Sequence, residues 1–178
     1  MLSPTSGRRA MGLLRRRDEP EGRRFRMREK LLSIGDDYWI EDEDGNRAYR
    51  VDGKAARLRE TILLKDAEGR EVAKIQERKL SVRDKMAIER DGETIATVYK
   101  ALVGIRDRFA IDVEGGEGMK AHGNIVDHEY EIERDGDTIA RVSKKWFRVR
   151  DTYGVELRAG EDEAVLLAAV VALEALTD

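Results

Sequence analysis

Polar and apolar residues alternate along much of the chain, in short segments separated by turns that contain glycine. In residues 128–134, His128, Tyr130 and Ile132 share one face and the intervening glutamates share the other. Alternation with a period of two predicts strands with one buried and one exposed face. Proline occurs only at positions 4 and 20, so none interrupts a hydrogen-bonded ladder further along. The pattern predicts a mainly β domain.

The turns between these segments share a chemical signature. Asp-Gly or Glu-Gly pairs, each between runs rich in β-branched and aromatic residues, occupy positions 44–45, 68–69, 91–92 and 135–136. Asp-Gly readily adopts the positive φ angles of a two-residue type I′ turn, so we expect four such hairpins. Counting outward from the turns predicts these cross-strand pairs: Ile40 with Tyr49, Ile62 with Ile75, Ile88 with Ile95, and Ile132 with Ile139.

A meander of ten or more strands would expose long edges, and closure into a barrel removes them. The interior of such a barrel is too wide for strand side chains alone to fill. Residues 164–173, AVLLAAVVAL, are apolar at every position, which suits a helix enclosed on all sides. Ten residues give about 15 Å of helix, half of the ~30 Å bilayer core. We therefore expect a helix over 161–176 to fill a closed antiparallel barrel.

Charge divides the chain into two parts. Nine arginines and three carboxylates give residues 1–28 a net charge of +6, which leaves −9 for the rest of a chain whose total is −3. We expect residues 1–23 to form a disordered basic arm and residues 24–178 to form a single domain. No signal peptide or membrane-spanning segment is evident in the sequence.

Residues with catalytic or metal-binding chemistry do not form a recognisable arrangement. The chain has no cysteine, which excludes disulfides, thiolate zinc sites and cysteine nucleophiles. His122 and His128 stand six positions apart, which matches no common metal-ligand spacing. EDEDGN at 41–46 lacks the pattern of a calcium loop, and GGEGMK at 115–120 lacks that of a phosphate-binding loop. We expect no catalytic residue, no metal and no cofactor, and thus no enzyme.

Basic side chains are the remaining candidates for a binding site. Those around Trp146 and Phe147 could hold an anionic head group at a membrane interface, and those of the arm could bind the phosphates of lipid or nucleic acid. Residues 1–24 contain no aromatic side chain for base stacking, which makes nucleic acid the weaker candidate. The candidate anion- or lipid-binding residues are Arg15, Arg16, Arg17, Arg23, Arg24, Arg141, Lys144, Lys145, Arg148 and Arg150.

Several stretches of the sequence resemble the LURP-one-related family. They are FRMREKLLSIGDDYWIEDEDGN (25–46), YRVDGKA (49–55), GNIVDHEYEIERDGDTIARVSKKW (123–146) and WFRVRDTYGVEL (146–157). The similarity extends over residues 24–176. The resemblance implies a closed barrel of about twelve strands threaded by the hydrophobic C-terminal helix, an architecture shared with tubby C-terminal domains and phospholipid scramblases. A shared fold implies no particular activity.

The leading hypothesis is a non-catalytic binding or scaffold domain, cytoplasmic and monomeric, that binds anionic phospholipid at the membrane periphery. One alternative is a scramblase-like membrane protein that uses the C-terminal helix. A second alternative is binding of nucleic acid or of a regulatory protein through the basic arm.

Overall fold

A computed structural model describes residues 22–29, 37–52, 61–78, 84–101 and 108–177. These residues form twelve strands and one helix. In chain order the elements are β1 (Arg23–Arg28), β2 (Tyr38–Asp42), β3 (Arg47–Asp52), β4 (Thr61–Asp66), β5 (Glu71–Glu77), β6 (Lys85–Arg90), β7 (Glu93–Lys100), β8 (Arg108–Val113), β9 (Met119–Asn124), β10 (Glu129–Arg134), β11 (Asp137–Ser143), β12 (Thr152–Leu157) and α1 (Glu163–Ala175).

The twelve strands form one closed antiparallel barrel. Strands that are consecutive in sequence pair with each other, and the first strand also pairs with the last along its whole length, from Arg23 opposite Leu157 to Arg28 opposite Thr152. Each strand therefore has two partners, and the described sheet has no open edge. The prediction of a mainly β, closed antiparallel barrel of about twelve strands is confirmed.

α1 runs through the interior of the barrel and fills it. Residues 167–173 are completely buried, and they belong to one apolar cluster with inward-facing side chains from all twelve strands. Asp162 caps the helix, because its carboxylate accepts a hydrogen bond from the N–H of Val165 at 3.1 Å. The enclosed C-terminal helix predicted over 161–176 is confirmed.

Three ion pairs hold the start of α1 against the barrel wall. Arginines from β1, β6 and β10 contact three consecutive acidic residues, as Arg23–Glu163 (2.9 Å), Arg90–Asp162 (2.8 Å) and Arg134–Glu161 (2.5 Å). Hydrogen bonding from Arg90 lowers the pKa of Asp162 below its ordinary value. Negative side chains also interact favourably with the N-terminal end of a helix dipole, so this end of α1 has a fixed position.

Two of the four predicted turns have the expected two-residue form. Both central residues have positive φ, 53° at Asp91 and 83° at Gly92, and 53° at Asp135 and 82° at Gly136. Left-handed conformations at both positions define the type I′ turn, whose twist matches that of the flanking strands.

The turns at Gly45 and Gly69 instead have three-residue loops, which corrects the prediction. Only the glycine is left-handed in each, and the N–H of Asp42 donates to the carbonyl oxygen of Asn46 across the first loop at 2.9 Å. The carboxylate of Asp42 also accepts from two backbone N–H groups of that turn, at 3.0 and 2.8 Å. Asp66 makes equivalent bonds in the second turn. An aspartate three positions before the glycine thus favours the longer loop.

A β-bulge after each two-residue turn shifts the pairing by one residue, so two predicted pairs are wrong. The observed pairs are Ile88 with Ala96 and Ile132 with Ala140, in place of Ile88 with Ile95 and Ile132 with Ile139. The bulge allows two consecutive apolar residues of β11, Ile139 and Ala140, to be buried together. A strictly alternating strand would expose one of them.

After the three-residue loops, the predicted pairs are confirmed. A bulge is also present in each of these hairpins, but the extra loop residue offsets the shift that the bulge produces. The observed pairs are Ile40 with Tyr49 and Ile62 with Ile75.

The first described strand begins close to the predicted start of the domain. Arg23 and Arg24 are residues of β1. Residues 1–21, for which the sequence predicts a disordered basic arm, lie outside the described residues. Within the described ranges, no helix has the length and apolar character needed to cross a membrane.

We predict that Leu167→Ala destabilises the protein by roughly 2–5 kcal/mol, because it leaves a cavity in a fully packed interior. Leu167 is 0% exposed. Leu176→Ala is the matched control, since Leu176 only partly contacts the same core, and it should cost less than half as much. Denaturant titration of both variants measures the difference in the free energy of unfolding. Equal losses would mean that α1 is not the centre of the core.

Candidate functional site

The two ends of the barrel differ in charge. The acidic end, where α1 begins, comprises residues 43–46, 67–70, 91–92, 114–118, 135–136 and 158–162. These residues include nine carboxylates and two arginines. The loop end, where α1 ends, has two described connections, 125–128 and 144–151, which together contain four basic residues and two aspartates. The described residues at the two ends therefore carry net charges of opposite sign.

Arg23 and Arg24 lie on β1, in paired positions. Arg23 contacts Glu163 at the start of α1 at 2.9 Å, and Arg24 contacts Glu156 on β12 at 2.5 Å. These carboxylates offset their charges. The Arg24 pair joins β1 to β12 across the closure of the barrel, and the Arg23 pair joins β1 to α1. The other predicted arm residues, Arg15, Arg16 and Arg17, lie outside the described residues.

The predicted cluster on β11 and the following loop is also mostly paired with glutamates. The contacts are Arg141–Glu131 (2.9 Å), Lys144–Glu29 (3.1 Å) and Lys145–Glu129 (3.5 Å). Arg150 lies 3.9 Å from Asp151, but both side chains are largely exposed, so water screens the pair. Arg148 is exposed and contacts no carboxylate among the described residues. The structure thus leaves Arg148 and Arg150 as the least paired cations of the set, and the side chain of Lys145 is also 81% exposed.

Trp146 and Phe147, which we call the aromatic clasp, fold back onto the outer face of β12. A methyl group at Gly154 would lie 2.7 Å from Cε3 of Trp146 and 3.0 Å from Cε2 of Phe147, so both rings pack directly on this glycine. The guanidinium of Arg24 stands 5.2 Å from the centre of the Trp146 ring, and that of Arg26 stands 5.9 Å from the Phe147 ring. These cation–π contacts fix the base of the loop.

Beyond the clasp, the loop presents an apolar residue between two arginines. Val149 is 50% exposed and stands between Arg148 and Arg150. Val126, in the turn between β9 and β10, is 61% exposed. These are the large apolar side chains with substantial exposure in the described part of the chain, and both lie at the loop end. Exposed apolar groups beside accessible cations are the components of a membrane-facing surface.

We predict that Gly154→Ala displaces the clasp and destabilises the protein by roughly 1–3 kcal/mol, because the new methyl group overlaps two aromatic rings. Gly118→Ala is the control, since its methyl group would meet only a backbone oxygen at 3.5 Å, and it should be nearly neutral. Tryptophan fluorescence and denaturant titration report the two effects. Unchanged fluorescence in Gly154→Ala would contradict the packing described for Trp146.

A groove of about 450 Å³ runs beside the clasp, between Trp146 and the outer face of β9–β11. His122, Glu131 and Glu133 meet near it, with ligand atoms within 4.8 Å of one another. Glu131 already accepts hydrogen bonds from Arg141 at 2.9 Å and from Thr138 at 3.3 Å. The three side chains therefore do not form an uncommitted set of metal ligands.

A polar cluster is buried where α1 ends. Glu174 is 7% exposed, and its Oε1 lies 2.6 Å from Nε2 of His128, although the contact falls outside hydrogen-bond geometry. The hydroxyl groups of Tyr38, Tyr130 and Tyr153 are buried nearby and have no hydrogen-bond partner among the described residues. Burial, and secondarily the charge of Glu174, raises the pKa of all three tyrosines well above the ordinary value.

The sequence contains one signal for this cluster, in the C-terminal helix. Glu174 is the one charged residue between 164 and 176, and a single carboxylate in an otherwise apolar helix needs a buried partner. The identity of that partner is not readable from the sequence, because His128 stands 46 positions earlier. Only closure of the barrel brings the two together.

We predict that Tyr38, Tyr130 and Tyr153 ionise only when the barrel unfolds. Their folded pKa is raised, whereas the unfolded chain has the ordinary tyrosine pKa of about 10. Below pH ~10 the three tyrosines are protonated in both the folded and the unfolded protein, and the free energy of unfolding is at its full value. Above pH ~10 they ionise more readily in the unfolded chain, so the free energy of unfolding falls as the pH rises. Burial, with Glu163 as a smaller cause, also raises the pKa of Tyr49 to about 12.

The measurement is an alkaline titration of tyrosinate absorbance alongside circular dichroism. The three buried tyrosines should ionise in one cooperative step that coincides with loss of β structure. Ionisation of all five tyrosines near pH 10 in a protein that keeps its circular dichroism would show that the cluster is accessible to water.

Comparison with known proteins places the chain in a family. No curated protein matches it. The barrel is similar to the crystal structure of a protein from Arabidopsis thaliana, with a TM-score of 0.67 and 16% sequence identity over 89% of this chain and 93% of that chain; at this identity the likeness concerns the fold. The sequence profile described as LURP-one-related matches residues 23–174. The match covers most of the molecule, from the first strand into the final turn of the core helix, and the chain thus belongs to the LURP-one-related family.

Proposed function

We propose that this protein is a non-catalytic, cytoplasmic binding domain that docks reversibly on anionic phospholipid surfaces through the loop end of its barrel. The observation that supports this most directly is the tip of the loop between β11 and β12. There, exposed Val149 stands between accessible Arg148 and Arg150. Val126 adds a second exposed apolar side chain at the same end.

The strength of docking on the membrane can be estimated from the few side chains that take part. A basic residue near an anionic membrane surface contributes about 1 kcal/mol. Full burial of a valine side chain contributes roughly 1.5 kcal/mol or more. Two accessible arginines and two valines therefore support weak, reversible association. Lys144 and Lys145 add less, because Glu29 and Glu129 already offset their charges.

The distribution of charge favours one orientation at the membrane. At the acidic end the carboxylates are crowded, and Asp135 raises the pKa of Glu117 above its ordinary value by hydrogen bonding and charge repulsion. An anionic surface repels this end and attracts the other.

The basic arm has a supporting role in this proposal. Arg15, Arg16 and Arg17 precede β1, which begins at the acidic end beside the start of α1. Arg23 and Arg24 are committed to Glu163 and Glu156. The loop end is therefore the principal contact, and the arm adds long-range attraction that salt screens.

The scramblase-like alternative has less support from the packing. α1 is enclosed by twelve strands, and its residues 167–173 have no exposed surface. Insertion of the helix into lipid would first require the barrel to open and lose its core. Docking through Val126 and Val149 requires no such opening.

The test is co-sedimentation with vesicles that contain phosphatidylserine, compared with neutral phosphatidylcholine vesicles, at low and physiological salt. We predict that the double variant Arg148→Gln, Arg150→Gln weakens binding to anionic vesicles by roughly tenfold to thirtyfold, from ~1 kcal/mol for each arginine. Val149→Ser should weaken binding several-fold even at physiological salt, because apolar contact is not screened.

The matched control is Arg70→Gln, Arg158→Gln, which removes the same charge from the acidic end and should bind like the natural protein. A chain that begins at residue 22 keeps the complete β1 and measures the contribution of the arm. Equal losses in the two double variants, or equal binding to neutral vesicles, would contradict docking through the loop end.

A further inference from the structure

The turn between β9 and β10 joins the surface of the loop end to the interior of the barrel. Val126 is 61% exposed, whereas His128, two residues later, is 9% exposed. The side-chain amide of Asn124 donates to the carboxylate of Asp127 at 2.6 Å, and the N–H of Asp127 donates to the side-chain oxygen of Asn124 at 3.1 Å. These two bonds hold the residues of the turn together, so we expect His128 to move when Val126 is displaced.

His128 occupies a backbone conformation that few residues with a Cβ adopt. Its φ is 54°, in the left-handed region. Such conformations persist where surrounding contacts hold them. Here the imidazole ring stacks on Tyr153, with ring centres 4.3 Å apart, and its Nε2 lies 2.6 Å from Oε1 of Glu174. Loss of these two contacts would remove the side-chain contacts that hold His128 in this conformation.

His128 is the nearest polar partner of Glu174, at 2.6 Å. The other groups that face Glu174 are the hydroxyls of Tyr38, Tyr130 and Tyr153 from β2, β10 and β12. Withdrawal of His128 would therefore remove the closest polar contact of a buried carboxyl group, which is unfavourable.

The network around this contact is incompletely satisfied. The three tyrosine hydroxyls and Nδ1 of His128 have no hydrogen-bond partner among the described residues. A buried polar network that lacks hydrogen-bond partners opens at a lower free-energy cost than the apolar core around it. The final turn of α1 adjoins this network. Its backbone hydrogen bonds include one in which the N–H of Leu176 donates to the carbonyl oxygen of Ala172, at 3.1 Å.

We infer that the 125–128 turn couples membrane docking to the last turn of the core helix through the His128–Glu174 contact. This inference rests on the proposed docking function and adds its consequence within the fold. An anionic phospholipid surface that engages Val126 displaces the turn and withdraws His128. Glu174 then loses its nearest polar partner, and the C-terminal turn of α1 loosens. By linkage, a loosened helix end favours the docked state to the same extent.

The first experiment is hydrogen exchange of the full-length protein with and without phosphatidylserine vesicles, followed by mass spectrometry of peptides that cover 172–177. Vesicles should accelerate exchange there several-fold and leave the start of α1 unchanged. Glu174→Gln keeps the size of the side chain and replaces the carboxyl group that faces His128 with an amide, so the vesicle effect should shrink to less than half while vesicle binding persists. A merely structural role for the contact would leave the response to vesicles unaltered.

A second experiment tests the coupling without a membrane. Asp127→Ala removes the Asn124–Asp127 side-chain bond from the turn and should accelerate exchange at 172–177 several-fold in solution. Asn46→Ala is the matched control, because it removes an equivalent Asn–Asp bond, of 3.2 Å, from a turn at the acidic end. The double variant Asp127→Ala, Glu174→Gln should lose most of the acceleration.

The outcomes separate the two proposals. Vesicle binding without a change in exchange at 172–177, or equal exchange in Asp127→Ala and Asn46→Ala, overturns the coupling and leaves docking intact. Absence of binding to anionic vesicles overturns docking and, with it, the transmission of docking to the helix. Acceleration by vesicles that Glu174→Gln abolishes, together with acceleration in Asp127→Ala alone, establishes the coupling.

Discussion

The packing of one apolar helix inside a closed sheet is the constraint on which the rest of this structure depends. Closure pairs every strand on both sides and removes the edges that would otherwise associate with other chains. A twelve-stranded barrel encloses more space than its own side chains fill. α1 resolves this, because residues 167–173 are buried in every direction. Neither part has a stable arrangement without the other.

This arrangement determines where a ligand can bind. Inward positions of the strands are committed to the core, and many outward positions are committed to ion pairs between neighbouring strands, such as Arg24–Glu156 and Arg141–Glu131. The ends of the barrel also carry ion pairs, but exposed side chains without a close partner, such as Arg148 and Val149, lie there. One end contains the acidic turns, and the other contains the aromatic clasp and the exposed valines, so the two ends suit partners of opposite charge.

The elements of the fold were predictable because each depends on local sequence. The period-two alternation in 128–134, the acidic-glycine turns and the uninterrupted apolar run 164–173 specify strands, hairpins and an enclosed helix with little ambiguity. The bulge that places Ile88 opposite Ala96 was not predictable, because it depends on which of two adjacent apolar residues the core can accept. That is a property of packing and not of the turn.

The candidate site was only partly accessible to the same reasoning. The basic residues after β11 are visible in the sequence, but their pairing is not, since Glu29 reaches Lys144 from the other end of the chain. The importance of Gly154 depends on two rings that fold back over it. The His128–Glu174 contact arises from barrel closure alone. Local patterns indicated the kind of chemistry, and long-range contacts decided which side chains remain available.

The pairing of β1 with β12 has a consequence for how the protein is made. Arg23 and Leu157 are neighbours in the barrel but 134 positions apart in the chain. At roughly 5–20 residues per second, a ribosome needs about 7–27 seconds to synthesise what lies between them. During that time β1 has no partner on one side, and the helix that fills the interior has not yet emerged. Such non-local topologies fold slowly and expose strand edges in the meantime, so the barrel closes only after β12 and α1 have been synthesised.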